Sequence, residues 1–405
     1  MVAARLGLSG GLFTRPGVTN IAERGRVNSV MLNRRHFSRG LGALAIIGAP
    51  AVRAQADRIL LAQSAPFTGP SAQLGIQMNR GAKLYFEQVN AQGGIARRSI
   101  ELLSLDDGYE PDRCVENTRK LIAEDPFALF GYVGTPTSVA ALPLATAAKV
   151  PFFGPFTGAM ALRQPGNRYA FHVRASYNDE TALIVKQLTS LSLRKIAVFY
   201  QNDAYGKAGL DGVTLALSKL DLKPVALATV ERNSAEVAGA VKTLTAAAPD
   251  AIVQIGSYKA CAAFIRAARK AGYGGTFYNV SFVGTQALAD ELGKDGAGIV
   301  VSQVMPSPYN AARPIAREFV EAVKKAGGDY QANFSSMEGY LAAKVMVDGL
   351  KRAGSRPTRE SLIAGLESLG NQSYGGFSVS FSPSNHVASS FVELSMLTGD
   401  GRVRT

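Results

Sequence analysis

Apolar and polar positions alternate along this chain with two different periods. From residue 57 onward, short apolar runs and amphipathic stretches follow one another about every 20 to 30 residues. In the first amphipathic stretch, four apolar residues at steps of four, three and four form one helical stripe: Met78, Ala82, Tyr85 and Val89. Apolar runs that alternate with helices are typical of βαβ units and of a mainly parallel sheet. The pattern therefore predicts an α/β fold.

The alternation occurs in two series, which predicts two doubly wound parallel-sheet lobes. The first series predicts strands at 58–63, 99–105, 128–133, 151–154 and 169–174, with one helix capped by Asp112 and another from about Ser138. The second predicts strands at 195–200, 224–229, 251–255, 276–280 and 298–304, with helices at 179–191, 207–220, 235–247 and 259–271. Three more helices (314–325, 336–353, 358–369) and two late strands (377–381, 391–397) follow. Two lobes in simple succession would not need these last elements, so we expect the chain to cross between the lobes more than once.

The basic charge is concentrated at the N-terminus. The chain has a net charge of +13 at pH 7, and residues 1–56 contribute +7 of it through eight arginines and one glutamate. The rest of the chain is nearly balanced at +6 and has no long basic run. We therefore expect no nucleic-acid partner. A hydrophobic content of 47% with 19% charged residues predicts a globular chain and excludes a disordered one.

Residues 1–56 have the layout of an N-terminal extension with an export signal. The arginine pair at 34–35 precedes a mildly apolar stretch at 40–51 and a small-residue site at 54–56. The apolar stretch is too short to cross a membrane, which takes about 20 residues. The arginine pair resembles a twin-arginine signal, although residues 38–39 depart from it, so the general secretory route stays open. We expect cleavage after Ala56 and a periplasmic protein.

Residues that carry catalytic chemistry are scarce in the rest of the chain. From residue 57 on, there is no Gly-x-Ser-x-Gly, P-loop, Gly-x-Gly-x-x-Gly or His-Glu-x-x-His motif. His172 lies in an apolar run, so we expect a satisfied, half-buried side chain, whereas His386 lies in a polar turn and should be solvated. Cys114 and Cys261 fall in different predicted lobes, too far apart to bridge. We expect two free buried thiols, no metal, no cofactor and no enzymatic activity.

Six predicted strand-to-helix loops share a composition that suits a binding site. In open parallel sheets, ligands bind beyond the C-terminal ends of the strands. The loops at these ends are rich in Gly, Ser, Thr and aromatic residues and poor in charge: 64–70, 131–138, 154–158, 201–206, 256–258 and 281–284. Backbone N–H groups, hydroxyls and ring faces of this kind can hold a small ligand. The acidic pair Asp106-Asp107 ends a strand, and we expect it to order its loop rather than to bind a metal.

Several motifs at or near these loops resemble one known family. They are Pro66-Phe67-Thr68-Gly69-Pro70, Asn90-Ala91-Gln92-Gly93-Gly94-Ile95, Asp106-Asp107, Tyr205-Gly206, Gly256-Ser257-Tyr258 and Ala271-Gly272-Tyr273. In this order they resemble the periplasmic leucine/isoleucine/valine-binding family of ABC-transporter solute-binding proteins, which are type I periplasmic binding proteins. The resemblance covers essentially all of 57–405, and the Asn-Ala-x-Gly-Gly-Ile block is its most specific part.

The resemblance implies how the domains are arranged. It implies two α/β lobes joined by three hinge crossovers, which we place near Ala175, Val304 and Phe381, with a ligand trapped between the lobes by hinge closure. Lobe 1 is then expected to consist of 57–175 plus 304–381. Lobe 2 is expected to consist of 176–303 plus 382–405.

The resemblance also implies a set of ligand-binding residues. The loop after the third strand and the loop after the fourth are expected to hold a ligand carboxylate through Thr135 with Thr137 or Ser138, and through Phe156 with Thr157. Helix N-termini in these loops would add to the attraction of an anion. The second lobe is expected to contribute the aromatic residues Tyr205 and Tyr258.

One implied position departs from the family. Ser281, followed by Phe282, aligns with the carboxylate that pairs with the α-ammonium in branched-chain amino-acid binders. A buried ammonium without a charged partner is costly. We therefore count Ser281 as a site residue and favour a ligand without an ammonium group, such as an aromatic or short-chain acid. Glu110 or Asp203 could supply the missing charge instead. An aromatic residue matching Leu74 is also absent.

The most favoured function is a non-enzymatic periplasmic solute receptor, working as a monomer. It would capture a small carboxylate-bearing ligand, either an amino acid such as a branched-chain one or an aromatic or organic acid, and deliver it to an inner-membrane ABC permease. A second hypothesis is a sensory receptor of the same fold that is not coupled to transport. A third, an exported α/β enzyme, would need a base in the cleft, and only His172 could serve.

Overall fold

A computed structural model describes residues 58–405. The predicted export signal and its cleavage site after Ala56 lie outside the described residues. The chain forms two β-sheets flanked by helices, and one separate two-stranded hairpin. The predicted α/β fold with parallel sheets is therefore confirmed.

The first sheet has five parallel strands in the order β2-β1-β3-β4-β5. The strands are β1 (Arg58–Ala65), β2 (Ser99–Asp106), β3 (Ala128–Phe130), β4 (Phe152–Phe153) and β5 (Ala170–Phe171). The helices are α1 (Ala72–Ala91), α2 (Pro111–Ala123) and α3 (Thr135–Ala147). Strand β1 is buried along almost its whole length, because helices cover both faces of a parallel sheet. This burial explains why β1 has a continuous apolar run at its start.

The second sheet has seven strands in the order β14-β13-β10-β9-β8-β6-β7. Five are parallel, namely β6 (Ile196–Gln201), β7 (Leu227–Val230), β8 (Ala251–Ile255), β9 (Thr276–Asn279) and β10 (Val300–Gln303). Two antiparallel strands, β13 (Glu393–Leu397) and β14 (Val403–Arg404), complete one edge. The helices are α4 (Tyr177–Ser190), α5 (Ala204–Ser218), α6 (Ala238–Ala246), α7 (Tyr258–Lys270) and α8 (Thr285–Leu292).

After β10 the chain returns to the first sheet. The returning elements are α9 (Pro314–Ala326), α10 (Phe334–Arg352), α11 (Arg359–Glu367), β11 (Gln372–Tyr374) and β12 (Phe377–Val379). Helix α10 packs directly on α1, and glycines make this close approach possible. A Cβ on Gly339 would lie 2.1 Å from the Met78 carbonyl oxygen, and one on Gly81 would lie 1.8 Å from the Ser336 carbonyl oxygen.

Residues after position 381 still pair with the first sheet. The backbone N–H of His172, just after β5, donates to the His386 carbonyl at 2.8 Å, and the N–H of Ala388 donates to the His172 carbonyl at 2.8 Å. Residues 382–388 thus run beside the first sheet, and we propose that lobe 2 resumes between Ala388 and Glu393. His386 is half-buried and stacks on Phe171 at 3.9 Å, so the solvated side chain expected there was wrong.

Several predicted element boundaries were also wrong. Helix α3 begins at Thr135 instead of Ser138, because Gly134, at a φ of 101°, turns the chain into the helix earlier. Asp112 lies inside the first turn of α2 and does not cap it, because Pro111 occupies the first turn and Glu110 is the cap residue. Helix α8 and the short strands β11 and β14 were not predicted. Cys114 and Cys261 are buried and free, as predicted.

Candidate functional site

Loops from both sheets meet around the side chain of Phe282, which follows β9. Its ring centroid lies 4.5 Å from that of Tyr205 in the second sheet's layer. It also lies 5.7 Å from Phe156 and 5.9 Å from Tyr109, which follow strands of the first sheet. All four rings are buried. We call these four residues the aromatic cluster. Through it, loops of the two sheets contact each other at the C-terminal ends of the strands.

Two threonine hydroxyls lie side by side in the first sheet's loops. Thr135 begins α3 and Thr157 follows β4, and their Oγ1 atoms are 2.6 Å apart. The hydroxyl of Thr137 instead donates to the Val133 carbonyl at 2.5 Å, so it serves the helix backbone. Ser138, in the same first turn, has a buried Oγ with no hydrogen-bond partner. Of the three predicted hydroxyls in this turn, only that of Ser138 therefore lacks a hydrogen-bond partner within the described residues.

The two predicted tyrosines occupy different places. Tyr205 belongs to the aromatic cluster, and its backbone N–H donates to the Asp203 carboxylate at 2.9 Å, which caps α5. The hydroxyl of Tyr258 instead accepts the backbone N–H of Gln73 at 3.5 Å, so it reaches the first sheet at the start of α1. Tyr258 has no ring contact with the aromatic cluster among the contacts that the structure describes. Of the two tyrosines, only Tyr205 thus contacts Phe282, the ring that Phe156 also contacts.

Ser281 is already engaged within the protein. Its backbone N–H donates to Glu180 Oε2 at 2.7 Å and its hydroxyl donates to Glu180 Oε1 at 3.0 Å. The same hydroxyl accepts a hydrogen bond from Arg174. Ser302 adds a further donor to the Glu180 carboxylate at 2.6 Å. Ser281 therefore solvates a buried carboxylate of α4, in addition to preceding Phe282.

Arg174 connects this carboxylate to the aromatic cluster and to the first sheet. It lies between β5 and α4 with 1% exposure, and its guanidinium carbon is 4.8 Å from the Phe156 ring centroid. Its Nη2 is 3.5 Å from Glu180 Oε1, and its Nη1 is 3.5 Å from Glu338 Oε1 on α10. Burial raises the pKa of Glu338 to about 7, because desolvation of the carboxylate outweighs the attraction of Arg174.

A second buried guanidinium lies next to the threonine pair. Nη2 of Arg163 donates to the Thr157 carbonyl at 3.3 Å and to the Ala175 carbonyl at 3.1 Å. Burial, together with the neighbouring charge of Arg174, lowers the pKa of the Arg163 guanidinium to about 10. Nε and Nη1 of Arg163 are buried without a hydrogen-bond partner. The Arg163 guanidinium therefore anchors the loop after β4 and the segment after β5 through their backbone carbonyls.

A polar contact at the rim also joins the two sheets. Glu110, after β2, accepts hydrogen bonds from Arg232 Nη2 at 3.1 Å and from Asn233 Nδ2 at 2.7 Å, after β7. Asn233 also donates to the Gly108 carbonyl at 3.1 Å. We call Glu110, Arg232 and Asn233 the rim contact. Glu110 and Asp203, the two acids considered as possible partners of an ammonium, thus both have partners within the protein.

Five residues around the cluster were not predicted as site residues. They are Tyr109, Arg174, Glu180, Phe282 and Glu338. Arg174 carried a usable signal, because a single arginine inside the apolar run 169–174 must be buried and paired. Phe282 was noted only as the neighbour of Ser281. Asp106 does order its loop as predicted, since its carboxylate accepts the N–H groups of Phe67 and Gly108.

Other chemistry lies elsewhere in the fold. His172 is 1% exposed, and its Nε2 lies 2.9 Å from the Leu162 carbonyl, outside the aromatic cluster. Burial lowers the pKa of His172 well below its usual value. Across residues 58–405, no group of three or more His, Cys, Asp or Glu side chains is placed to hold a metal ion. Nor does any helix in this range combine the length and the apolar content needed to cross a membrane.

Comparisons with known proteins cover nearly the whole described chain. A family model described as periplasmic binding protein matches residues 59–401. The Leu/Ile/Val-binding protein homolog 7 of Brucella abortus (strain 2308) is 26% identical over 329 residues, which are 76% of this chain and 81% of that relative.

Solved structures give the same picture. A possible leucine/isoleucine/valine-binding protein from Rhodopirellula baltica SH 1 is 33% identical with a TM-score of 0.83, over 86% of this chain and 96% of that one. A substrate-binding periplasmic protein from Ralstonia solanacearum is 33% identical with a TM-score of 0.80, over 85% of this chain and 99% of that one. These similarities extend over the segment for which the loop motifs predicted a resemblance.

Proposed function

Because this chain belongs to the periplasmic binding protein family, we propose that it captures a small carboxylate-bearing solute between its two sheets and delivers it to an inner-membrane ABC permease. The observation that carries this proposal is the aromatic cluster, which residues of both sheets build beside the paired hydroxyls of Thr135 and Thr157. The relatives found are binding proteins, which supports a non-enzymatic role. The work of the protein is then to bind, close and release.

The site suits a carboxylate at one end of the ligand. Hydroxyl groups can rotate, so Thr135 and Thr157 can exchange their mutual hydrogen bond for bonds to a ligand oxygen. Ser138 adds an unpartnered hydroxyl one turn away, at the N-terminal end of α3, where the helix favours an anion. The rings of Phe156 and Tyr205 would contact the apolar body of the ligand.

Closure would couple binding to delivery. A ligand that touches Phe156 from one sheet and Tyr205 from the other stabilises the arrangement in which the two loops are close, and an open arrangement would lack half of these contacts. The rim contact between Glu110 and Arg232 forms in the same arrangement. The permease would recognise the closed form. We propose that this takes place in the periplasm, after export by the signal in residues 1–56.

A thermal-shift screen tests the binding proposal. The protein, purified from the periplasm and freed of carried-over solute by unfolding and refolding, is heated with amino acids, aromatic acids, short fatty acids and amides. A ligand at a hundred times its Kd adds about 2.7 kcal/mol, which moves the Tm by a few degrees. We expect a carboxylate to raise the Tm. Thr157→Ala should weaken its binding at least about tenfold in Kd. Thr243→Ala, a matched change at an exposed position of α6, should leave the Kd unchanged. No shift with any carboxylate would contradict the proposal.

Transport is tested in cells. Deletion of the gene should abolish uptake of the ligand found in the screen, because the permease receives the solute from its binding protein. If uptake persists and only the transcriptional response to the ligand is lost, the sensory receptor is the correct function.

A further inference from the structure

We infer that the ligand is a monocarboxylate with an apolar body and no ammonium group. This inference rests on the proposed function and deepens it by naming the ligand class. It follows from the hydrogen-bonding state of the polar groups around the aromatic cluster. The hydroxyl and guanidinium groups that lack a hydrogen-bond partner there can donate, and all but one of the carboxylates there accept hydrogen bonds from the protein.

The free polar atoms near the threonine pair are donors. They are Nε and Nη1 of Arg163, Nε of Arg174, and the hydroxyls of Ser138 and Tyr177. Nη1 of Arg174 has no hydrogen bond but is engaged in the ion pair with Glu338. A guanidinium N–H can only donate, and a hydroxyl can donate or accept. Both arginines touch the loop after β4, Arg163 through the Thr157 carbonyl and Arg174 through the Phe156 ring. Carboxylate oxygens are the acceptors that such donors bind best, whereas an ammonium offers three more donors and no acceptor.

The acids of the surrounding loops are occupied by the protein itself. Glu180 accepts three hydrogen bonds from Ser281 and Ser302. Four other carboxylates accept at least two hydrogen bonds each: Asp106, Asp107, Glu110 and Asp203. An ammonium would have to displace one of these donors in order to find a charged partner. Such an exchange gains little, because the displaced donor then loses its own partner.

The ring faces do not offer an alternative place for a cation. Aromatic faces attract cations, but the Arg174 guanidinium already lies 4.8 Å from the centroid of Phe156. Arg163 lies close enough for the two guanidiniums to repel each other. A ligand ammonium near Phe156 would add a third positive charge to this region. A carboxylate there would be attracted by both arginines, while Tyr205 and Phe282 contact an apolar body.

One residue could contradict this inference. Glu338 faces Arg174 through a single ion pair of 3.5 Å, and the structure gives its carboxyl no hydrogen-bond donor. It is therefore the one carboxyl of this region with acceptor capacity to spare. The elevated pKa of this buried group, about 7, weakens its ability to hold an ammonium at neutral pH. The decisive experiment includes Glu338 for this reason.

The test compares ligands that differ only in the amine. Isothermal titration of the refolded, solute-free protein uses two matched pairs, 3-phenylpropanoate with L-phenylalanine and 4-methylpentanoate with L-leucine. We expect at least one acid to bind at least about tenfold more tightly than its amino-acid counterpart. An amino acid that binds as tightly as its matched acid, or more tightly, overturns the inference.

The variant Glu338→Gln separates the two explanations. The inference predicts that this variant binds the acid at least as tightly as the wild type, because Arg174 loses its ion pair with Glu338 and gains attraction for the ligand carboxylate. Glu236→Gln, a matched change at an exposed position, should keep the affinity within about threefold. If the wild type binds an amino acid and Glu338→Gln loses it, Glu338 is the ammonium partner and the inference fails. If no member of either pair binds, the inference also fails, and the thermal-shift screen then shows separately whether the proposed function survives with another carboxylate.

Discussion

Replacing Glu338 by glutamine should change how the stability of the protein depends on pH. Glu338 is 4% exposed, and its carboxyl forms one ion pair, with Arg174. Burial raises the pKa of Glu338 from 4.5 to about 7. Between these pH values the folded protein binds a proton that the unfolded chain does not bind. Glutamine has a similar shape but cannot titrate, so the variant isolates this proton.

The direction of the effect follows from the difference in proton binding. Where the folded state binds one more proton, the free energy of unfolding falls by about 1.4 kcal/mol per pH unit as the pH rises. Over the interval between the two pKa values of Glu338, 4.5 and about 7, the loss is on the order of 3 kcal/mol. This contribution is fully present below the unfolded pKa and is lost as the pH rises through the folded one.

Urea unfolding followed by circular dichroism at pH 5, 6 and 7 measures this slope. The wild type should lose about 1 kcal/mol or more per pH unit relative to Glu338→Gln. The control Glu236→Gln, at an exposed position, should keep the slope of the wild type. Equal slopes in the wild type and in Glu338→Gln would refute the reasoning, because the carboxyl would then titrate alike in the folded and unfolded states.

Three further changes test other parts of the account. Gly339→Ala should lower the free energy of unfolding in urea titrations by about 1 to 3 kcal/mol, because the new Cβ would lie 2.1 Å from a backbone oxygen of α1. The control Gly239→Ala has nothing within 4 Å of the new Cβ and should not destabilise the protein. Equal effects of the two substitutions would rule out the helix contact as the cause. Arg232→Gln removes part of the rim contact, so it should weaken ligand binding about two- to fivefold by raising koff, which stopped-flow experiments measure. The effect of the substitution should be smaller at high salt. An unchanged koff would show that the rim contact does not support the closed form. Cys114 and Cys261 should not react with a thiol reagent until the protein is unfolded, because both thiols are buried. Burial raises the pKa of both thiols, that of Cys114 to about 12. Rapid reaction of either thiol in the folded protein would contradict their placement.

Much of the fold could be predicted because its strands are buried on both faces. A strand such as Ala251–Ile255 is a continuous apolar run between helical patterns, and its predicted bounds match the structure. The strands β11 and β14 have only three and two residues, too few for any period to show. Helix α8 was missed because its eight residues make only about two turns, too few for a helical stripe to show. The later third crossover that we propose rests on backbone hydrogen bonds of His172, which no side-chain pattern records.

The candidate site could be predicted only at the level of its loops. Parallel strands bring their C-terminal ends together, so Thr135, Thr157 and Tyr205 could be expected to lie near one another, and the structure places them in adjoining loops. The ionic contacts behind the loops could not be predicted, because Arg174 and Glu338 come from distant parts of the chain and meet only through packing of α10. Local sequence carries no information on such a pairing.

A crystal structure of the protein with the solute that it retains from the periplasm tests the central claim most directly. The account predicts a carboxylate within hydrogen-bond distance of Thr135 or Thr157, and an apolar body in contact with Phe156 and Tyr205. A retained solute without a carboxylate, or one bound away from the aromatic cluster, would contradict it.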